Sequence, residues 1–225
     1  MNYQTINLTD FNRVRVDSAL SIQILKADTY NIRLAPEDIG RLRIEKTGDT
    51  LRIWRRGFDW FHPRPYVSIT LPELIELTLS GACHGELQGF QSDRDFTLKL
   101  NGASQLEMSR MAAGNLTVDV SGASNLTGDI KAGGKVAFNI SGASRVKLGG
   151  TANNMIMDLS GASQARLAEM TLNDADVNFS GASSGQLNIK GKLDMNLSGA
   201  SRLEYSGSPT LGRVQISGAS NLRQF

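Results

Sequence analysis

The residues best equipped to hold a ligand are concentrated in one stretch, Trp54-Arg55-Arg56-Gly57-Phe58-Asp59-Trp60-Phe61-His62-Pro63-Arg64-Pro65-Tyr66, which contains both tryptophans of the chain. Between Arg41 and Tyr66 seven basic residues (Arg41, Arg43, Lys46, Arg52, Arg55, Arg56, Arg64) stand against three acids (Glu45, Asp49, Asp59). Aromatic rings beside guanidinium groups stack on sugars or bases and pair with carboxylates or phosphates. Trp54, Arg55, Arg56, Trp60, His62, Arg64 and Tyr66 are therefore the candidate ligand-binding residues. The competing reading is a hydrophobic lid, in which Trp54, Phe58, Trp60 and Phe61 fold back over a flank or a dimer seam.

Catalytic chemistry has less support. Hydrolysis or elimination on a polysaccharide needs converging acids, or acids with calcium and a base. Here Asp93/Asp95 and Asp174/Asp176 fall in different segments, and Asp119 and Asp158 are separated by Asn139. The single cysteine, Cys83, has no disulfide partner within the chain, and free cysteine usually packs as a small hydrophobe. His62 and His84 lack the Cys/His spacing of a zinc site. No catalytic residue, metal or cofactor is assigned.

With 24 basic and 22 acidic residues the net charge of +2 selects no nucleic-acid or anionic-membrane partner. No segment is long and apolar enough to span a bilayer, and Met1–Ile6 lacks the basic-then-apolar pattern of an export signal. Only 6% of the residues are aromatic while 23 are glycine, so the core is expected to be stacked aliphatic side chains.

What must position any site is a repeat. Ser80-Gly81-Ala82-Cys83 and Asn101-Gly102-Ala103-Ser104 are followed by Ser-Gly-Ala-Ser starting at Ser121, Ser141, Ser160, Ser180, Ser198 and Ser217, with glycines 18 to 21 residues apart. Alternating apolar pairs precede each tetrapeptide, among them Leu98/Leu100, Val118/Val120 and Phe138/Ile140, and further pairs such as Leu106/Met108 follow. Period two means strand. Glycine makes the corner between strands, and alanine is expected where two walls of a narrow tube converge. No leucine-rich signature or helical return segment is present. The reading is an all-β, right-handed parallel β-helix with coils of about twenty residues.

In such a coil equivalent residues form columns. The serines after alanine make one column, with Cys83 as its packed first member. Thr78, Lys99, Asp119, Asn139, Asp158, Asn178, Asn196 and Gln215 make another, facing outward, where Asn139 keeps two aspartates apart and offers ladder hydrogen bonds. Residues 1–75 alternate like strands but lack the tetrapeptide; they are expected to be irregular N-terminal coils and a cap, with 76–225 the regular repeats of one continuous solenoid. Phe225 lies five residues past the last tetrapeptide. The final turn is thus expected to be open, and either to associate end to end or to belong to a longer chain.

The strand-rich opening, Ile69-Thr70-Leu71-Pro72-Glu73-Leu74, the entry Leu79-Ser80-Gly81-Ala82, the repeated corners and the late Gly207-Ser208-Pro209 together resemble the bacterial head GIN domains described as auto-transporter adhesins. The resemblance implies a right-handed β-helix of the cell envelope or extracellular space, with adhesion by analogy and no catalytic residues; family members commonly carry an export signal or lipid anchor. The function expected is a non-catalytic structural or adhesive module that binds a surface glycan or protein, or self-associates through a helix end or the aromatic stretch. A pectinase-like lyase or hydrolase is the alternative, on fold analogy.

Overall fold

A computed structural model describes residues 3–57 and 63–225. The chain opens with β1 (Gln4–Ile6), β2 (Arg13–Asp17), β3 (Ser21–Lys26) and β4 (Asn31–Leu34), then a 3-10 turn, Pro36–Arg41. β5 (Leu42–Thr47), β6 (Thr50–Arg55) and β7 (Tyr66–Leu71) follow. Two walls then grow in alternation, β8 (Glu76–Ser80) to β9 (His84–Gln88), β10 (Phe96–Asn101) to β11 (Gln105–Ala113), and β12 (Leu116–Val120) to β13 (Asn125–Ala132). β14 (Lys135–Ile140) leads into β15 (Arg145–Leu159) and β16 (Gln164–Phe179), which run on around a corner to serve more than one wall. β17 (Ser184–Ile189), β18 (Lys192–Leu197), β19 (Arg202–Ser206), β20 (Thr210–Ile216) and β21 (Asn221–Gln224) complete the stack.

Every pairing from β8 onward is parallel, with register shifts within β11–β13, β15–β16, β16–β17 and β18–β20, so the fold is a stack of parallel β coils, a β-solenoid. Leu77, Leu98, Val118, Phe138, Met157, Val177 and Met195 form one inward column, and Leu79, Leu100, Val120, Ile140, Leu159, Phe179 and Leu197 the next, all at most 1% exposed. Packing is complementary between columns. Gly185 lies where neighbouring rungs carry Ala165 and Leu203, and a side chain there would meet the Phe179 ring at 2.5 Å.

Stacking order departs from chain order near the N-terminus. β2 is hydrogen-bonded between β6 and β8, and β3 between β7 and β9, all parallel. The first coil of the sequence is therefore the second rung of the rod. β4 and β5 run antiparallel on β7 and β6, and β1 antiparallel on β4, closing that end. Beneath this cover Leu51, Ile53, Val67 and Ile69 are fully buried.

The corners are held by vertical hydrogen bonds. The amide of Ala123 donates to the Gly102 carbonyl at 2.7 Å, Ala143 to Gly122 at 2.7 Å, Ala162 to Gly142 at 2.8 Å and Ala200 to Gly181 at 2.7 Å. At Gly122 φ is +79° and an added Cβ would lie 2.2 Å from the Gly102 carbonyl oxygen, so both torsion and space demand glycine.

The alanines, expected inside where the walls converge, instead point outward: Ala103, Ala123, Ala143, Ala162 and Ala182 are exposed. The following serines point inward and are buried. The reason is polar. A bent corner turns its own carbonyls toward the interior, and a buried carbonyl needs a donor. Ser104 Oγ donates to the Asn101 carbonyl at 2.9 Å, Ser124 Oγ to Ser121 at 2.9 Å and Ser201 Oγ to Ser198 at 2.8 Å. The hydroxyls of Ser104 and Ser124 also accept from the rung beside them, from the Cys83 and Ser104 amides, each at 3.3 Å. Cys83 continues the column: its buried Sγ donates to the Ser80 carbonyl at 3.1 Å, and burial pushes the thiol pKa up.

On the outer face Asn139 Nδ2 donates to Asp119 at 2.8 Å, Asn178 Nδ2 to Asp158 at 3.2 Å and Asn196 Nδ2 to Asn178 at 3.2 Å. The amide ladder read from the sequence is formed. The second corner uses the same device on the main chain, where Asp95 accepts from the Asn115 amide at 3.0 Å and Asp174 from the Lys192 amide at 2.7 Å.

Gly122→Ala is expected to cost about 3 kcal/mol or more, read as a lowered urea midpoint. Cys83→Ser, which substitutes the residue its column already uses, should change stability by less than ~1 kcal/mol, and the native thiol should react with a disulfide reagent only on unfolding. Asn139→Asp would stack three carboxylates on adjacent rungs; it should lower stability by about 0.5–1 kcal/mol at neutral pH. That loss should vanish once acid protonates the column and shrink in high salt.

Candidate functional site

After each Ser-Gly-Ala-Ser corner the first and third residues face outward, so two columns of side chains run up the second wall. Strand geometry sets them about 6.6 Å apart, with rungs about 4.8 Å apart. The first column runs Tyr66, Ser21, His84, Gln105, Asn125, and the second Ser68, Gln23, Glu86, Glu107, Thr127. Between them lies a groove of about 400 Å³ lined by Ser21, Tyr66, His84, Glu86, Gln105, Glu107, Asn125 and Thr127. Small Ser21, sandwiched between Tyr66 and His84 in the stack, leaves the space between two ring systems.

The cap positions the tyrosine. Buried Asp38 accepts from the Tyr66 amide at 3.2 Å and from Arg41 Nη1 at 2.8 Å, and Arg41 Nη2 donates to the Pro63 carbonyl at 2.8 Å. Tyr66 Oη donates to Gln23 Oε1 at 3.1 Å, and Gln23 Nε2 donates to Glu86 at 3.0 Å. Partial burial, then the negative charge of Glu86, raise the tyrosine pKa, so the phenol stays a donor. Arg64 Nη1 is hydrogen-bonded to His84 Nδ1. A guanidinium can only donate, so the contact calls for a neutral His84 ring that accepts from it. Burial, then the charge of Arg64, hold the His84 pKa below its ordinary value.

The seven sequence candidates separate in space. Tyr66 lines the groove, and Arg64 contacts it through His84. Trp54 sits half-buried on β6, with the Arg52 guanidinium 4.8 Å from its ring centroid. Arg55 is buried, and Arg56 is exposed with its amide donating to the Arg41 carbonyl at 2.8 Å. Trp60 and His62 lie outside the described residues. Ser21, His84, Glu86, Gln105, Glu107, Asn125 and Thr127 were not singled out from sequence, although the positions one and three residues past each corner would have located those on the regular repeats.

The groove offers two rings, amides, hydroxyls and two carboxylates on adjacent rungs, a donor-and-acceptor set suited to hydroxyl-rich ligands. Five of the six aspartates weighed for catalysis make scaffold contacts. Asp119 and Asp158 accept ladder amides, Asp95 and Asp174 cap backbone amides, and Asp176 pairs with Arg213 at 3.3 Å. Among the described residues no three His, Cys, Asp or Glu side chains gather as a metal site, and no helix is long and apolar enough to cross a membrane.

The family model described as "Putative auto-transporter adhesin, head GIN domain" matches residues 10–209, nearly the whole stack from β2 to the approach to β20. The chain belongs to this family. Solved structures similar to this head GIN domain include a putative adhesin of Parabacteroides distasonis (TM-score 0.86, 17% identity, covering 100% of this chain and 96% of that one). A putative adhesin of Parabacteroides merdae is alike to the same degree (TM-score 0.86, 17% identity, 100% and 95% covered). A third, described as a putative lipid binding protein of Parabacteroides distasonis, has a TM-score of 0.88 at 15% identity, with 100% and 96% covered. At these identities the head GIN domain shares their fold. No curated protein matches the chain.

By NMR, His84 should titrate below the ordinary histidine range. Arg64→Ala, which removes the neighbouring positive charge, should move that midpoint upward without changing the fold.

Proposed function

We propose that this domain is a non-catalytic adhesive module of the bacterial cell surface that holds a glycan along the Tyr66–Asn125 groove. The observation that carries the reading is the built geometry at its head. Tyr66 is oriented by buried Asp38, itself paired with Arg41, and by Gln23, and small Ser21 lies between it and His84 in the stack. One sugar ring stacks on an aromatic face while the hydroxyls of further residues along the glycan chain exchange hydrogen bonds with Gln105, Asn125 and Thr127. Rungs 4.8 Å apart let a chain of residues lie across successive coils. Glu86 and Glu107 place negative charge on the groove, favouring neutral or amino sugars over uronic or sialic acids. The adhesin-type family supports a surface role. The engagement of the scattered aspartates in scaffold contacts speaks against the lyase or hydrolase alternative.

Calorimetric titration of chito-oligosaccharides and oligogalacturonates tests this. The first should bind and neither should be cleaved. Tyr66→Ala should weaken binding at least tenfold with an unchanged melting temperature, and Arg166→Ala, further along the same wall, should leave it intact. Absence of binding to any neutral or amino-sugar oligomer at millimolar concentration, or indifference to the Tyr66 change, would sink the proposal.

A further inference from the structure

Beyond the Tyr66–Asn125 groove the second wall changes sign. Its two outward columns continue rung by rung as Arg145, Gln164, Ser184 and Arg202, and as Lys147, Arg166, Gln186 and Glu204. Four cations are thus spread over four successive rungs, a run of about 14 Å along the rod. Arg145, Arg166 and Arg202 are exposed, and among the described residues none of the three has a carboxylate partner. Lys147 pairs with Glu169 at 3.4 Å, and both side chains stay open to solvent. Glu204, the acid in these two columns, is half-buried and accepts from Gln186 Nε2 at 2.8 Å. The net charge of the whole chain is only +2, so the positive field is local to this zone.

The surface is also hollowed. Small Ser184 lies between Gln164 and Arg202 in the stack, and a cavity of about 160 Å³ is lined there by Gln164, Arg166, Ser184, Gln186 and Arg202. A second cavity, of about 330 Å³, shares Gln164, Arg166 and Gln186 with the first and adds Lys147 and Glu169. Arg166 therefore stands in the lining of both.

We infer that this zone is a second carbohydrate site, which takes a linear acidic glycan with its carboxylates on Arg145, Arg166 and Arg202. The guanidinium fork matches a carboxylate with two parallel hydrogen bonds. Cations spread over three rung steps are out of reach of one small anion and within reach of a polymer that carries a charge on successive units. Gln164, Ser184 and Gln186, set among the cations, exchange hydrogen bonds with the sugar hydroxyls. Among the described residues no large apolar or aromatic side chain is exposed on these rungs. Nucleic-acid bases thus find no ring to stack on, and a lipid surface receives no apolar anchor. The site lies outside the groove assigned to neutral or amino sugars, where Glu86 and Glu107 disfavour acidic ones.

The test is calorimetric titration with a short oligogalacturonate. It should bind, more weakly in high salt, and saturating chito-oligosaccharide should not displace it. Arg166→Gln with Arg202→Gln, both at exposed positions, should weaken binding by roughly tenfold or more with an unchanged melting temperature. Arg33→Gln with Lys135→Gln, which removes the same charge from the cap and the other wall, should leave the affinity within about twofold. No binding at millimolar concentration in low salt, equal weakening by the two double variants, displacement by chito-oligosaccharide, or binding of single-stranded DNA or phosphatidylserine vesicles as tight as that of oligogalacturonate would each overturn the inference. Oligogalacturonate binding is read whether or not chito-oligosaccharide binds, so the two sites stand or fall separately.

Discussion

The vertical bond from the corner alanine amide to the glycine carbonyl of the preceding rung, 2.7–2.8 Å long at each corner from Ala123 to Ala219, is the contact on which the registers of those coils depend. It sets the rung spacing at the tightest point of the coil, where no side chain fits between successive glycines. Once it is made, the strands on either side can only pair in register, and each apolar residue falls on its counterpart. The inward serine follows from the same bend, because the carbonyls turned inside would otherwise be buried without donors. Few large rings are needed, since columns of Leu, Val, Ile and Met fill the tube by repetition.

The regular coils were readable because identical residues at a fixed period leave one parity for each strand and one place for each turn. The amide ladder through Asn139 was readable for the same reason. The orientation of the tetrapeptide was not: Ala123 and Ser124 are both small, and size alone does not say which turns inward. Hydrogen-bond demand decides, and it is visible only once the carbonyls of Asn101 and Ser121 have directions. The placement of β2–β3 between β6–β7 and β8–β9 was also hidden. Its corner, Asp17-Ser18-Ala19-Leu20, performs the same turn with Ser18 and Ala19 at positive φ, but without the glycine that marks the others.

The groove was half legible. Tyr66 and Arg64 stood out by residue type, yet the partners of Tyr66, Ser21 and Gln23, are over forty positions away and reach it through the inserted coil. Glu86 and Glu107 look like ordinary solvated charges until registration puts one on the next. Along the same wall the outward residues turn basic at Arg145, Lys147 and Arg166, so one face of the rod carries both signs in separate zones.

The inserted coil also sets how the rod bears a mechanical load. β2 and β3 are bonded along both edges, so a pull on the N-terminal side must shear two sets of hydrogen bonds at once. Among the described residues β20 and β21 are bonded along one edge only, so a pull on that side can unzip them a bond at a time. Among the described residues the two ends are thus held differently, one spliced between two strands on each wall and the other zipped along a single edge, so a load meets unequal resistance at the two.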